Sequence, residues 1–228
     1  MQLCEQYRPH CWGEVIGQSK ALRSIDLLRR RGLTGRAIWI SGKSGTGKTT
    51  TARLLAEEVC GGPECWLWGD AQEIDAKGLT LADLVGTKDS LGLLAEINHL
   101  GIGPNHCRVV IINEADCLLE SVLKALRTLL ERPIAPIPPH VLWIFTTTRE
   151  GEAELPDSDF RQLIGRCSKV PLNTQGLARI FAERAREIAT IEGLNGKPLP
   201  AYVNLLNDCK GSLREALQRI EGGEMLGP

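Results

Sequence analysis

Arg36-Ala37-Ile38-Trp39-Ile40-Ser41 runs into Gly42-Lys43-Ser44-Gly45-Thr46-Gly47-Lys48-Thr49, and that into Thr50-Thr51-Ala52-Arg53-Leu54-Leu55-Ala56-Glu57-Glu58-Val59. The first segment is a short apolar run of the kind that forms a buried parallel strand. The last reads as a helix. Strand, glycine-rich turn and helix are the context in which G-x-x-x-x-G-K-[ST] binds phosphate. Glycine has no Cβ, so backbone N–H groups can converge on an anion. The helix N-terminus adds partial positive charge. Lys48 is spaced to reach β- and γ-phosphates, and the Thr49 hydroxyl to ligate Mg²⁺. Gly45, Thr46, Gly47 and Thr50 complete the candidate cradle.

Working outward, Arg108-Val109-Val110-Ile111-Ile112-Asn113 and Val141 through Thr148 are further buried-strand runs, each ending in polar residues. A short strand is expected near Lys169–Leu172, and another between Trp66 and Ile74. Helices are expected over about 18–31, 90–100 and 119–131. Strands alternating with helices give an α/β fold with a parallel, helix-flanked, five-stranded sheet. Ligands in such sheets bind beyond the carboxyl ends of the strands. From about 174 the pattern is helical only, with three amphipathic segments. The expected division is therefore 1–173 as nucleotide-binding core and 174–228 as a small helical lid.

The 228 residues are 43% hydrophobic and 24% charged, ordinary for a globular chain. No apolar run has the length of a membrane span. The N-terminus lacks a secretory pattern, so a cytoplasmic protein without membrane contact is expected. Net charge is −1, which provides no global basic field for nucleic acid; any DNA contact would use a local patch. The eight cysteines include no C-x-x-C. Cys60 and Cys65 are the only close pair, two short of a structural zinc site, and reduced thiols are expected.

The strand 108–113 ends at Asn113-Glu114. A phosphate-loop ATPase normally has two acids here, one for the Mg²⁺ shell and one to polarise the attacking water. Glu114 remains as the candidate base. Asn113 offers the metal side only a carbonyl oxygen, so slow hydrolysis is expected, accelerated by Asn113→Asp. At the tip of the next strand, Thr147 or Thr148 is the candidate sensor of the γ-phosphate.

In this order, the motifs resemble those of the AAA+ ATPases, and within them the clamp-loader ATPase subunits of the gamma/tau and replication-factor small-subunit type. Tyr7-Arg8-Pro9 with Trp12-Gly13-Glu14-Val15-Ile16-Gly17-Gln18 resembles that family's opening, whose chain wraps the adenine. Val122 through Leu126 and Leu130-Glu131-Arg132-Pro133 are similar to its helix after the metal strand. Phe160 through Cys167 resembles its Ser-Arg-Cys segment, and Gly211 through Leu217 its second sensor. The resemblance implies ATP and Mg²⁺ as cofactors, with Tyr7, Arg8, Val15, Ile16 and Gly17 around the base. It implies that Arg214 contacts the γ-phosphate from the lid, and that Arg166 reaches a neighbour's ATP as an arginine finger. It also implies partners: other AAA+ subunits in an ATP-dependent homo- or hetero-oligomer, a sliding clamp, and primer-template DNA.

Three departures stand out. Asn113 replaces an Asp, Gly165 replaces the Ser before the finger, and the sequence stops at Pro228 with no collar domain. The bacterial members' four-cysteine zinc insertion is matched here only by Cys60 and Cys65. Two other readings stay open. One is a hydrolysis-impaired, ATP-holding switch or scaffold subunit. The other is another AAA+ motor such as a branch-migration ATPase, whose sensor strand Thr147-Thr148-Arg149-Glu150-Gly151 resembles.

Overall fold

A computed structural model describes residues 1–131, 137–149 and 158–227. In chain order, helices α1 (Leu3–Gln6) and α2 (Ser19–Arg30) precede strand β1 (Arg36–Ser41) and α3 (Lys48–Cys60). The single turn α4 (Cys65–Trp68), β2 (Ala71–Asp75) and two short helices, α5 (Leu81–Val85) and α6 (Leu93–Glu96), follow. Then come β3 (Arg108–Asn113), α7 (Glu120–Leu129), β4 (Val141–Thr147), α8 (Ser158–Gly165) and β5 (Ser168–Pro171). The described chain closes with α9 (Ala178–Ile191), α10 (Leu199–Asp208) and α11 (Leu213–Glu221).

The five strands form one parallel sheet in the order β2-β3-β4-β1-β5. Parallel neighbours require crossovers, and helices supply them. Strand alternation divides the sheet's side chains between two apolar layers. Leu142 and Ile144 of β4 join Ile38, Ile40, Val109 and Ile111, covered by Ala52, Leu55 and Ala56 of α3. Val141, Trp143 and Phe145 face the other way, against Val122, Leu123 and Leu126 of α7. There the Phe145 ring stacks on Trp39 at 5.8 Å and on Trp143 at 6.2 Å between centroids. Phe145→Ala should therefore lose about 3–5 kcal/mol, read as a lowered urea midpoint with unchanged slope. A loss under about 1 kcal/mol would show that this layer is not tightly packed. A third apolar cluster gathers α9, α10 and α11, and takes in Leu3 of α1.

Two sequence expectations are corrected. Trp66-Leu67-Trp68 is not part of a strand: it belongs to the turn α4, closed by Gly69 at φ 73°, and β2 starts only at Ala71. The helix expected over 90–100 shrinks to Leu93–Glu96. Its start is pinned by a bridge between Gly86 and Leu91, and a Cβ on Gly92 would lie 2.1 Å from the Gly86 nitrogen. The segment before α2 contains α1 and a 3-10 turn at Trp12–Glu14. Thr148 lies just past the end of β4. Arg132, Pro133, Glu150, Gly151 and Pro228 lie outside the described residues.

Candidate functional site

The carboxyl ends of β1, β3 and β4 meet the Gly42–Thr49 loop, the usual ligand edge of an open α/β sheet. The loop turns on Gly45 at φ 78° and Gly47 at φ 93°, and Gly47 caps α3. Both angles lie where a side chain is strained. At Gly45 a Cβ would also meet the Ser212 Oγ at 2.3 Å. Ser212 caps α11 by accepting from the Glu215 N–H, so the loop and the first turn of α11 lie against each other. The first N–H groups of α3 have no intrahelical acceptor. The Lys48 Nζ arches back over the loop, donating to the carbonyls of Gly42 at 2.7 Å and Lys43 at 2.8 Å.

Between the loop, the N-terminal segment, the strand tips and α11 lies a cleft of about 310 Å³, the size range of small-ligand sites. Gly45, Thr46, Gly47, Lys48, Thr49 and Thr50 line it, with Tyr7, Arg8, Val15 and Ile16 on one side. Asn113, Glu114 and Thr148 line the strand edge and Arg214 the α11 edge. Most of the site residues expected from sequence therefore share one cavity. Three do not line it. Gly17, at φ 72°, packs under Leu177, where a Cβ would come within 3.0 Å. Thr147 is buried and donates its hydroxyl to Asp116 at 2.6 Å, an acid also bound by Arg149 at 3.1 Å. Arg166, just beyond α8, donates to the Gln162 carbonyl at 2.9 Å and pairs with Glu131 at 3.2 Å, in a separate depression near Arg36.

Several lining residues escaped the sequence reading. Thr146, one position before the expected sensor, faces the cleft and donates to Asn113 Oδ1 at 2.8 Å. Asp75, at the tip of β2 and paired in register with Asn113, lines it too. Buried Gln18 clasps the Asn173 backbone from both sides, at 2.9 and 3.1 Å, tying the N-terminal segment to the chain just after β5. Its signal was present in the Gly17-Gln18 step of the opening motif. Phe181, Leu213 and Leu217 supply an apolar wall.

The polar wall is organised by charge. Arg8 donates to Glu5, and this bond holds the Glu5 carboxyl below its ordinary value against desolvation, with the charge of Arg214 adding to it. The Tyr7 hydroxyl donates to Glu192 at 2.6 Å, which raises its ionisation above the usual tyrosine range. Glu114 sits in the left-handed region at φ 51°, turning its exposed carboxylate off the end of β3, where it accepts from Lys77 Nζ at 2.6 Å.

A phosphate-bearing ligand with Mg²⁺ fits these groups. The Arg8 Nη1 is buried without a hydrogen-bond partner, a donor left for a polar guest. Gly47 leaves open the space a Cβ would take. Thr49, Asn113, Asp75 and Glu114 present hard oxygen atoms, the ligand type Mg²⁺ selects. Among the described residues no group of three His, Cys, Asp or Glu converges on a metal-sized point. Mg²⁺ suits such a site, since it typically takes one or two protein oxygens and completes its shell with phosphates and water. Elsewhere, Cys60 and Cys65 are buried thiols; desolvation pushes both upward, Cys65 to about 11.

The profile of the family described as "ATPase family associated with various cellular activities (AAA)" matches residues 38–172. The chain belongs to this family, and the family implies nucleotide binding and ATPase activity. It is similar to DNA polymerase III subunit gamma/tau of Mycobacterium tuberculosis (strain ATCC 25618 / H37Rv). There the identity is 30% over 169 residues, covering 68% of this chain and 28% of the relative. It is also similar to DNA polymerase III subunit tau of Escherichia coli (strain K12), 26% identical over 237 residues, covering 97% and 35%. The chain thus spans about a third of the length of these relatives. Its fold matches the Thermotoga maritima RuvB Holliday junction branch migration motor with a TM-score of 0.64 at 20% identity, over 94% of this chain and 64% of that one. Among the described residues no helix is long and apolar enough to cross a membrane.

Proposed function

We propose that this chain is the ATP-binding portion of a clamp-loader-type ATPase that couples ATP binding and hydrolysis to assembly with a sliding clamp on primer-template DNA. The observation that carries the reading is the single cleft that joins Lys48 and Thr49 to Glu114 on the sheet and Arg214 on α11. Residues 1–173 act as the nucleotide-binding core and 174–228 as a lid that reports occupancy, working in the cytoplasm. The loop and Lys48 hold the phosphates. Thr49 and Asn113 face the metal, and Tyr7, Arg8, Val15 and Ile16 enclose the base. Gly17 and Gln18 hold that segment in place. Glu114 orients and deprotonates water, Thr148 and Thr146 lie nearest the reacting end, and Arg214 senses it from the lid. Bound Mg·ATP supplies the phosphoryl group and the cation that neutralises its charge. Arg166 lies outside this cleft and serves a neighbouring subunit's site in trans, so oligomers form more readily with ATP.

Asn113 keeps a second reading in view, a subunit that holds ATP and turns it over slowly. ATP turnover should be low for the chain alone and rise on adding clamp and primer-template DNA together, with ATP shifting light scattering toward larger species. Stimulation by a four-way DNA junction instead, with no response to clamp, would transfer the assignment to a branch-migration motor. Tight ATP retention without turnover under every condition would leave the switch reading.

A further inference from the structure

Asn113 is engaged on both sides. Its Nδ2 donates to Glu73 Oε1 at 2.6 Å, and its Oδ1 accepts from Thr146 at 2.8 Å. The second oxygen of Glu73 accepts from Arg53 Nε at 2.7 Å, and the Arg53 guanidinium lies over the Trp66 ring at 5.9 Å. Glu73 and Asn113 are diagonal neighbours on one face of the β2–β3 pair, and Asp75 stands directly beside Asn113. An ionised carboxylate can only accept. The atom facing Glu73 must therefore be the donor end of position 113, which turns the carbonyl end toward Thr146 and the cleft.

We infer that Glu73 and Asn113 form an acid–amide couple, in which Glu73 is the positioning residue that orients the side chain at 113 and requires an amide there. The inference deepens the nucleotide reading of the cleft and rests on it for its link to Mg²⁺. Two carboxylates at this separation repel, so an aspartate at 113 finds no donor opposite it. The inference runs against the sequence expectation that Asn113→Asp by itself speeds the enzyme. The couple is reversible in principle. When N113D and E73Q are combined, the new glutamine Nε2 donates across the strands to the new carboxylate, and its Oε1 still accepts from Arg53. With E73Q alone, the glutamine faces the Asn113 amide and the Arg53 guanidinium, and can satisfy only one of these two donors.

The test compares the wild type with N113D, E73Q and N113D/E73Q. In the nucleotide-free proteins each single substitution should lower the thermal midpoint by about 2–4 °C, and the double variant should recover most of that loss. Titrating Mg²⁺ into ADP-binding assays, the Mg²⁺ requirement should fall about tenfold in the double variant relative to the wild type, and not fall in N113D. A purely structural pair would show the thermal rescue without the Mg²⁺ change, and that result overturns the positioning role. Additive thermal losses in the double variant overturn the couple itself. So does an N113D protein whose Mg²⁺ requirement already matches that of the double variant. A wild type that binds no ADP overturns the nucleotide reading, and the couple then stands or falls on the thermal midpoints alone.

Discussion

Lys48→Ala weakens ATP binding by about two to three orders of magnitude, the loss expected when one member of a desolvated, hydrogen-bonded charge pair is removed. Lys48 is the loop's cation at the cleft, and its ammonium is already held over the loop by the Gly42 and Lys43 carbonyls. On the proposed reading it would meet the phosphates without reorganising the backbone. Alanine leaves the glycine turns and the α3 N-terminus in place, so weak residual binding through N–H groups persists. Lys48→Arg keeps the charge but brings a planar fork to a position built for a compact ammonium, and should recover only part of the affinity. Calorimetry with ATP is the measurement, with circular dichroism to confirm that the variant is folded. An unchanged affinity in Lys48→Ala would remove the basis for assigning this cleft to nucleotide.

The sequence made the loop legible because everything the loop needs is local. Gly45, Gly47 and Lys48 carry their backbone requirement and their chemistry within one turn, flanked by β1 and α3. Trp66-Leu67-Trp68 was misleading because aromatic residues suit strands, while the left-handed Gly69 behind them closes a helical turn. Which threonine of β4 turns to the cleft is decided by parity. Leu142, Ile144 and Thr146 share the α3 face of β4, and the cleft opens on that face, so Thr146 reaches Asn113 while Thr147 turns to Asp116. Counting back from Thr146 to Ile144 and Leu142 would have found it. Glu73 had no such signal. It lies 40 positions from Asn113 and meets it only because β2 and β3 are neighbours in the sheet. Lys77 and Glu114, 37 apart, meet for the same reason.

Glu114→Gln lowers turnover by about 10²–10⁴-fold, the usual contribution of a positioned general base, while leaving ATP bound. The left-handed backbone at φ 51° turns this carboxylate off the strand end into the cleft, on the same sheet edge as Asn113 and Thr146. Glutamine preserves the shape and can still accept from Lys77 through its amide oxygen, but it cannot take a proton from water. The phosphates keep Lys48 and the loop, so affinity should change little. The Lys77–Glu114 pair does not alter this expectation. Both side chains are largely exposed, 63% and 47%, and an exposed pair contributes about 0–1 kcal/mol, easily exchanged for a water or a phosphate neighbour. Turnover should be measured at saturating ATP with clamp and primer-template DNA present, alongside ATP retained through gel filtration. If Glu114→Gln keeps turnover within tenfold of the wild type, the base lies elsewhere on this edge, and Asp75, which lines the cleft beside Asn113, becomes the residue to replace next.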